Sequence, residues 1–394
     1  MENDKAYITF LGYCLDTTKE IPSCVAHIDW DGLYTFALKQ TIIGIYAHTI
    51  LEDNQALEEI GWMGNKLSLL QIKKWMSIYM RYKSRNTKMN MKAVEVSRKL
   101  EADGFRTCIL KGQANAAYYP YPLARTPGDI DIWVMNQQGL SFSKHREKVI
   151  NYFLKFGIPL NIAFHHIEYE TEGISIEGHF TPSITSNPIW NKHLQKFYKE
   201  ISENSILYPI NLAENIGPIN VQNAQFNVIF LLEHTFHHFI DSGIGFRQII
   251  DYYYLLKNIK WDEPDNNLWS CNKDKSINIL KSIGCYKFAC ALAWVLKNIL
   301  GLDDSFLYCE PNKKEGTFLY HEIIRSGNFG VKNALSQTIS KHKSHLVRFL
   351  IREKFMFRTL FHYPKAVIPS PLYNILEYIK ILKFKKLGRN DTLI

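Results

Sequence analysis

Two aspartates separated by one residue lie in an apolar stretch near the middle of the chain. The segment RTPGDIDIWV, residues 125–134, carries Asp129 and Asp131. Side chains two apart in a strand share a face, so these carboxylates would repel each other and lose hydration. A divalent cation removes this cost, and Mg²⁺ prefers carboxylate oxygens with phosphates and water. The alternative is an edge strand with solvated acids. If the pair binds metal, asparagine at both positions should leave the fold intact or stabilise it.

A third carboxylate is expected on a neighbouring strand that faces the same way. Glu177, in ISIEGHF, fits this position and follows Asp131 after one predicted helix and one hairpin. Two metal ions about 3.5–4 Å apart among such carboxylates can activate an attacking hydroxyl and stabilise a departing phosphate oxygen. We therefore predict Asp129, Asp131 and Glu177 as catalytic residues and as ligands of Mg²⁺ or Mn²⁺. The alternative for Glu177 is a surface acid on a strand.

The segment ILKGQ is predicted to end a strand at Lys111–Gly112 and to open a helix. Glycine lets backbone N–H groups approach a phosphate, and the start of a helix adds a favourable field. Lys111 would add a positive charge, and Arg125 could reach the same phosphates. Gly128 would permit a tight turn into the strand. These four residues are predicted to bind phosphates, and a nucleoside triphosphate (NTP) is one ligand that supplies them.

Histidines cluster in EHTFHHF, which places His234, His237 and His238 on one predicted helix. His234 and His238 have the spacing of zinc ligands, but the sequence has no HExxH glutamate and no obvious third ligand. Alternatively, His234 and His237 line a cleft that holds the nucleotide or its acceptor, and His238 belongs to a partly buried helix face. Arg247 is a further cleft candidate, although an i, i+4 ion pair with Asp251 is the simplest expectation.

Three more histidines lie in the predicted hairpin. His165 and His166 should alternate across a strand, so that only one faces the cleft. His179 shares a face with Glu177 and either orients that carboxylate, contacts the substrate or is a hydrogen-bonded strand histidine.

The hydrophobic periodicity predicts an α+β fold, with a small mixed β-sheet core flanked by N-terminal and C-terminal helical regions. Apolar residues recur at helical spacing up to about residue 100, with Gly104 as a stop, and again after about residue 205. Between them lie the predicted strands FRTCILKG, DIDIWVM, NIAFHHIEYE and ISIEGHFTP, the last two joined as a hairpin by TEG. The predicted units are residues 1–95, 96–205 and 206–394.

The basic excess of the chain lies at its C-terminal end. Residues 341–394 contain twelve lysines or arginines and three acidic residues, which equals the net charge of +9 of the whole chain. Such a segment could meet nucleic acid, nucleotide phosphates or an anionic membrane surface, or form a solvated helical face.

Seven scattered cysteines without a CxxC pair favour reduced thiols and a cytoplasmic protein. The first residues are not typical of a signal peptide, and no apolar run reaches the ~18 residues of a transmembrane segment.

The motifs LKG, YP, R…GDIDIWV and IEGH together resemble the uncharacterised bacterial nucleotidyltransferase family, a branch of the DNA polymerase β-like superfamily. The resemblance covers roughly residues 96–200. It implies transfer of a nucleotidyl group from an NTP to an acceptor, with pyrophosphate leaving and two Mg²⁺ assisting. Asp129 and Asp131 correspond to the metal pair, and Glu177 to the carboxylate that helps to activate the acceptor hydroxyl. Lys111–Gly112–Gln113 stands where the superfamily has a Gly-Gly or Gly-Ser turn, so the serine contact to the triphosphate is missing.

The acceptor stays open between nucleic acid, protein and small molecule. Two alternative functions also stay open. One is a non-catalytic nucleotide- or RNA-binding module with a degenerate nucleotidyltransferase fold. The other is a toxin-like transferase, or a related phosphotransferase, that acts on tRNA or protein.

Overall fold

A five-stranded mixed sheet is combined with N-terminal and C-terminal helices, which pack against each other in one large hydrophobic core. In this computed structural model, residues 2–136, 139–157, 159–263, 267–328 and 355–369 are described. The strands of the sheet follow in chain order as β1 (Thr107–Ile109), β2 (Ile130–Val134), β3 (Asn161–Ile162), β4 (His166–Thr171) and β5 (Ile174–His179). Their spatial order is β1-β2-β5-β4-β3. β2 and β5 are parallel and the other neighbours are antiparallel. The predicted α+β class with a mixed sheet is confirmed.

The N-terminal helices are α1 (Glu2–Leu15), α2 (Trp30–Lys39), α3 (Ile43–Glu52), α4 (Asn54–Trp62) and α5 (Leu69–Ala102). Within and after the sheet come α6 (Gln113–Ala116), α7 (Phe142–Phe153) and α8 (Pro188–Asn204). The C-terminal helices are α9 (Ala224–Asp241), α10 (Phe246–Asn258), α11 (Lys273–Ser282), α12 (Tyr286–Asn298) and α13 (Lys313–Ser326). Two small sheets pair β6 (Tyr208–Asn211) with β7 (Pro218–Val221) and β8 (Lys260–Trp261) with β9 (Ser270–Cys271). Residues 355–362 and Pro364–Val367 are also helical.

The alternation of β2 separates an apolar face from a polar one. Ile130, Ile132 and Val134 pack into a core with residues of α5 and α7. Asp131 and Trp133 point the other way, where the Trp133 ring stacks on Phe226 of α9 at a centroid distance of 5.7 Å. The polar face of β2 therefore meets the C-terminal helices, and a site on this face is built from both parts of the chain.

The 34-residue helix α5 begins at a capping box between Ser68 and Gln71, and the chain turns after it at Gly104, whose φ is +82°. At mid-length the buried Asn86 amide donates hydrogen bonds to the carbonyls of Leu123 (2.9 Å) and Arg125 (2.8 Å). The long helix thus holds the loop that leads into β2. Since α5 crosses position 95, the first predicted unit boundary falls inside a helix, and the division into units stays a prediction.

Two predictions about strands are wrong. NIAFHHIEYE is not one strand, because the chain reverses between β3 and β4 in a turn closed by a hydrogen bond from the Ala163 N–H to the His166 carbonyl (2.9 Å). The chain also does not return to helix at residue 205, because the hairpin of β6 and β7 comes first. Both strands of that hairpin contain a proline, which obscures the strand pattern.

Most of the basic segment 341–394 lies outside the described residues. Within it, the Arg358 guanidinium donates to both carboxylate oxygens of Glu322 on α13, at 2.9 and 2.8 Å. At least one cation of the segment is therefore used in an intramolecular ion pair. In the described part of the chain, no helix is both long and apolar enough to span a membrane.

Candidate active site

The predicted site residues surround one cleft of about 860 Å³ between the sheet and helices α9 and α10. Asp131 lies behind the cleft wall and is fully buried. The other predicted residues line the cleft: Lys111, Gly112, Arg125, Gly128, Asp129, Glu177, His179, His234, His237 and Arg247. The structure thus gathers residues from across 137 positions of the sequence, from 111 to 247, into one place.

Asp131 and Glu177 are direct neighbours, because the parallel register of β2 and β5 pairs these two residues. Alternation along β5 sends His179 to the same face. Its Nε2 lies 3.0 Å from Asp131 Oδ1 and 3.2 Å from Glu177 Oε2. Ligand atoms of the three residues all lie within 4.8 Å of one another. The imidazole therefore bridges two carboxylates that would otherwise repel each other.

Asp129 differs from its expected position because it precedes β2 and is not part of the strand. It is partly exposed and lines the cleft. Its carboxylate makes no hydrogen bond or ion pair with any residue that the structure describes, and it lies outside the compact group of Asp131, Glu177 and His179. The predicted pair thus consists of one buried, bonded carboxylate and one accessible carboxylate.

Lys111 neutralises Asp131. Its Nζ lies 2.9 Å from Asp131 Oδ1 and 3.1 Å from His234 Nε2. Burial lowers the pKa of Lys111, but the charges of three neighbouring carboxylates outweigh burial and hold that pKa above its usual value. The ammonium is therefore directed at a carboxylate, and its predicted contact with a triphosphate stays a prediction.

Burial and charge set the protonation of the bridging pair. Burial lowers the pKa of His179, but the hydrogen bonds to Asp131 and Glu177 overcome it and raise the pKa to about 9. Burial raises the pKa of Glu177, but the His179 hydrogen bond and the Lys111 charge lower it to about 2. Burial and the His179 charge lower the pKa of His166 to about 4. The polar wall thus combines ionised carboxylates, a charged imidazole and a neutral one.

The turn at Gly112 requires glycine, but the helix that follows is shorter than expected. Gly112 has a φ of +63°, and a Cβ there would lie 3.1 Å from the Asp129 carbonyl oxygen. The glycine is therefore needed for close approach of two backbones. The helix that follows, α6, has only four residues, so its start is too short to give the expected helix field. Asn115 of α6 also lines the cleft, and both of its amide atoms are buried without a hydrogen-bond partner.

The roles expected for the two arginines are reversed. Arg125 forms the ion pair with Asp251 that was expected of Arg247, and Arg247 is the cation that faces the cleft. The predicted Arg247–Asp251 ion pair is wrong, because Arg125 donates to both oxygens of Asp251 at 2.8 Å. The Tyr119 hydroxyl adds a 2.6 Å hydrogen bond to the same carboxylate. Burial of the pair and its tight packing make Arg125 a positioning residue by geometry, and its phosphate contact stays a prediction.

The Arg247 guanidinium is the cation that is open to the cleft. It forms no ion pair in the described part of the chain, and its buried Nε has no hydrogen-bond partner. Burial and the charge of Arg125 lower its pKa. A Cβ at Gly128 would lie 3.3 Å from Arg247 Nη1. Gly128 therefore leaves space for this guanidinium, and its backbone has no positive φ that would by itself demand glycine.

The histidines surround the carboxylates more completely than expected. Both His165 and His166 line the cleft, so the prediction that only one does is wrong. The reason is the turn before β4, which takes His165 out of the alternating strand. On α9, His234 and His238 lie 3.0 Å apart through their Nε2 atoms, and His234 accepts from Lys111. No third ligand joins this helix pair among the described residues.

The residues fit a divalent cation. Asp131 Oδ1 accepts from Lys111 and His179, whereas Asp131 Oδ2 is buried without a partner. An unpartnered buried carboxylate oxygen is costly, and a cation at that oxygen would remove the cost. The accessible carboxylate of Asp129 and the ionised Glu177 complete an oxygen-rich donor set of the kind that Mg²⁺ and Mn²⁺ prefer.

Sequence reasoning missed the Lys111–Asp131 pair, Asn115 and the joint presence of His165 and His166. These contacts join residues far apart in sequence or depend on an irregular turn, so no local pattern carries them. The sequence identified Arg247 as a candidate cleft residue. It did not reveal that Arg247 lacks an ion pair, because Asp251 was the expected partner.

Comparison with known proteins identifies the family of the chain. A family described as uncharacterised nucleotidyltransferase matches residues 26–301, well beyond the segment that carries the motifs. No curated protein matches the sequence. One solved structure, an antigenic nucleotidyltransferase-like protein from Paracoccidioides brasiliensis, is similar with a TM-score of 0.30 and 10% identity over 56% of this chain and 94% of that chain. Because the family match spans more than half of its length, the chain belongs to the uncharacterised nucleotidyltransferase family.

Proposed function

We propose that the protein transfers a nucleoside monophosphate from an NTP to a hydroxyl acceptor, with pyrophosphate leaving, as a member of the DNA polymerase β-like superfamily. The observation that carries the proposal is the placement of Asp131 beside Glu177 on adjacent parallel strands, with an unpartnered Asp131 oxygen and the accessible Asp129 at the same cleft. Paired carboxylates next to a cleft of this size suit the binding of a metal–triphosphate complex.

In this proposal Asp129, Asp131 and Glu177 hold Mg²⁺ or Mn²⁺. The ion would neutralise the developing charge on the phosphates and activate the acceptor hydroxyl. Lys111 and His179 hold Asp131 by its Oδ1 atom, which leaves Oδ2 for the ion.

The remaining cleft residues would bind the nucleotide. Arg247 is the open cation for the triphosphate, and Gly128 leaves room beside it. Asn115 has an unpartnered amide that can donate to and accept from a base or sugar. The acceptor would enter the same cleft, past His234 and His237.

The test is thermal unfolding with each NTP, with and without Mg²⁺ or Mn²⁺. A ligand at 100 times its Kd adds about 2.7 kcal/mol to the stability, which shifts the unfolding midpoint. We expect a metal-dependent shift in the wild type that is lost in Asp129→Asn and Glu177→Gln. The matched control is Glu170→Gln, an exposed acid on β4 of the same sheet, which should keep the shift. A wild type that responds to no NTP would contradict the proposal.

A second candidate function is nucleotide binding without transfer. The observation that favours it is the Lys111 ammonium at 2.9 Å from Asp131, because a fixed cation there reduces the need for a metal ion. Product mass separates the candidates. Incubation with NTP, metal and an acceptor pool should add the mass of a nucleotide to the acceptor if transfer occurs, the mass of a phosphate if the protein is a phosphotransferase, and nothing if it only binds. With tRNA and protein as separate pools, the same assay tests the toxin-like alternative.

A further inference from the structure

Three histidine side chains come together at the wall of the cleft, beside the carboxylates. The ring centroids of His165 and His166 lie 4.3 Å apart, and those of His166 and His179 lie 5.3 Å apart. The centroids of His165 and His179 are separated by 5.7 Å. One ring nitrogen from each histidine lies within 4.8 Å of the other two. Three imidazoles at this spacing form a donor set that suits transition metals and does not suit Mg²⁺.

The backbone fixes the three positions. The antiparallel register of β4 and β5 pairs His166 directly with His179. The turn closed by the Ala163–His166 hydrogen bond places His165 immediately before β4 and directs it to the same cleft. The cluster therefore rests on a sheet register and a closed turn, which are more rigid supports than a free loop.

Unpartnered nitrogens point to a missing ligand. His179 uses Nε2 on Asp131 and Glu177, and its Nδ1 is buried without a partner. His165 also has a buried Nδ1 without a partner. A carboxylate on one nitrogen of a histidine orients the ring and makes the other nitrogen a better metal ligand. His179 already has this arrangement with two carboxylates, and a metal ion would replace the proton on its Nδ1.

We propose that His165, His166 and His179 form a transition-metal site, suited to Zn²⁺ and its analogue Co²⁺, that is separate from the Mg²⁺ position of the three carboxylates. Three protein ligands leave a fourth coordination position, as in zinc sites that bind water or a substrate. Asp131 and Glu177 act here as hydrogen-bond acceptors that hold the ring of His179. The proposal rests on the histidine geometry and does not require the transfer reaction.

The experiment uses the untagged full chain, freed of metal by chelation and then titrated with Co²⁺ while visible absorption is recorded. Wild type should bind one Co²⁺ with an intense tetrahedral spectrum, and Zn²⁺ should displace it. His165→Asn and His166→Asn should each weaken Zn²⁺ binding by roughly 100-fold or more, beyond the loss typical of residues around a metal site. His193→Asn, an exposed histidine on α8 outside the cleft, is the matched control and should bind like wild type.

A second measurement does not depend on variants. In the Co²⁺-loaded wild type, NMR should show strongly shifted imidazole N–H resonances that correspond to three histidine ligands. A wild type without Co²⁺ binding, or with fewer than three histidine ligands, would overturn the proposal. So would Co²⁺ binding that survives in both histidine variants and is lost in Glu177→Gln, because the ion would then sit among Asp131, Glu177 and His179.

The outcomes also separate this site from the proposed function. If the histidine site is correct, His165→Asn loses Co²⁺ whether or not any NTP shifts the unfolding midpoint. If NTP binding with Mg²⁺ exists and the histidine site does not, His165→Asn and wild type give the same Co²⁺ titration.

Discussion

At the scale of single residues, the two aspartates of the DxD pair have different physical roles. Asp131 is fully buried and bonded to Lys111 and His179. Asp129 is accessible and makes no such bond within the described residues. The expectation that asparagine is tolerated at both positions therefore does not apply to Asp131, because its loss leaves a largely buried lysine without its counter-charge.

We predict that only one of the two asparagine variants is strongly destabilised. Asp131→Asn should lower the free energy of unfolding by about 3 kcal/mol, the cost of removing one partner of a buried ion pair. Asp129→Asn should change it by less than about 0.5 kcal/mol, as for surface positions. Urea unfolding without metal measures both.

A double-mutant cycle provides the control for this prediction. Lys111→Met removes the other partner, and Lys111→Met with Asp131→Asn should cost clearly less than the sum of the single changes. Equal stability of Asp131→Asn and Asp129→Asn would contradict the prediction.

The two arginines should separate stability from binding. Arg125→Lys loses the two parallel hydrogen bonds to Asp251 and should destabilise the fold by about 2 kcal/mol, since lysine cannot reproduce them. Arg247→Gln should leave stability nearly unchanged and weaken metal–NTP binding by roughly tenfold or more, the effect of one charged hydrogen bond. Unfolding curves and nucleotide titrations on both variants check this pair, and weaker NTP binding without loss of stability in Arg125→Lys would reverse the assignment.

At the scale of elements, the alternation of side chains along β2 and β5 positions much of the site. In DIDIWV the apolar residues 130, 132 and 134 form the core face of β2, and the same alternation places Glu177 and His179 together on the polar face of β5. The order of the strands and the pairing of Asp131 with Glu177 depend on contacts between segments distant in sequence, so local patterns could support them only through the resemblance. The turn at residues 163–166 is an irregular feature that apolar periodicity does not reveal.

A glycine comparison tests the turn before α6. Gly112→Ala should destabilise the fold by about 1 kcal/mol for the positive φ, and its Cβ should push on the Asp129 backbone and weaken metal-dependent NTP binding. Gly104→Ala is the matched control, because Gly104 has a φ of +82° and nothing within 4 Å of its Cβ position. It should show a similar loss of stability and unchanged NTP binding. Equal NTP binding in the two variants would contradict the role of Gly112.

At the scale of the whole molecule, the cleft is built from distant parts of the chain, and its predicted site residues all lie within the family match over residues 26–301. The sheet supplies the carboxylates, and α9 and α10 supply the opposite wall with His234, His237 and Arg247. The hydrophobic pattern predicted these helices. It could not predict their position over the sheet, because that position depends on contacts between distant residues, such as the stacking of Trp133 on Phe226.

A buried acid in this packing gives the protein a pH-dependent stability. Glu233 of α9 is 2% exposed and hydrogen-bonded to Ser183. Burial raises its pKa to about 8, although the Ser183 hydrogen bond opposes the shift. Unfolding returns the carboxyl to a pKa of about 4.3. Between these two values the folded chain holds one proton more than the unfolded chain, so the contribution of Glu233 to stability falls as the pH rises.

Glu233→Gln should remove this contribution. Relative to the variant, wild type should lose up to about 1.4 kcal/mol per pH unit between pH 5 and pH 8. Urea midpoints at several pH values measure the difference. Glu200→Gln, at an exposed glutamate of α8, should keep the wild-type slope. Parallel profiles of wild type and Glu233→Gln would show that Glu233 is ionised in the folded protein.

Helix α5 has a mechanical consequence for any motion of the cleft. Its 34 residues form a continuous helix about 50 Å long. One side of this helix packs on the N-terminal helices, and Asn86 at its middle is hydrogen-bonded to the loop before β2. The N-terminal helices and the loop that leads into the carboxylate wall are thereby attached to the same helix. Helix α10 is attached to the same loop through the Arg125–Asp251 ion pair, so both walls of the cleft share one anchor and a bulky acceptor would have to enter without separating them there.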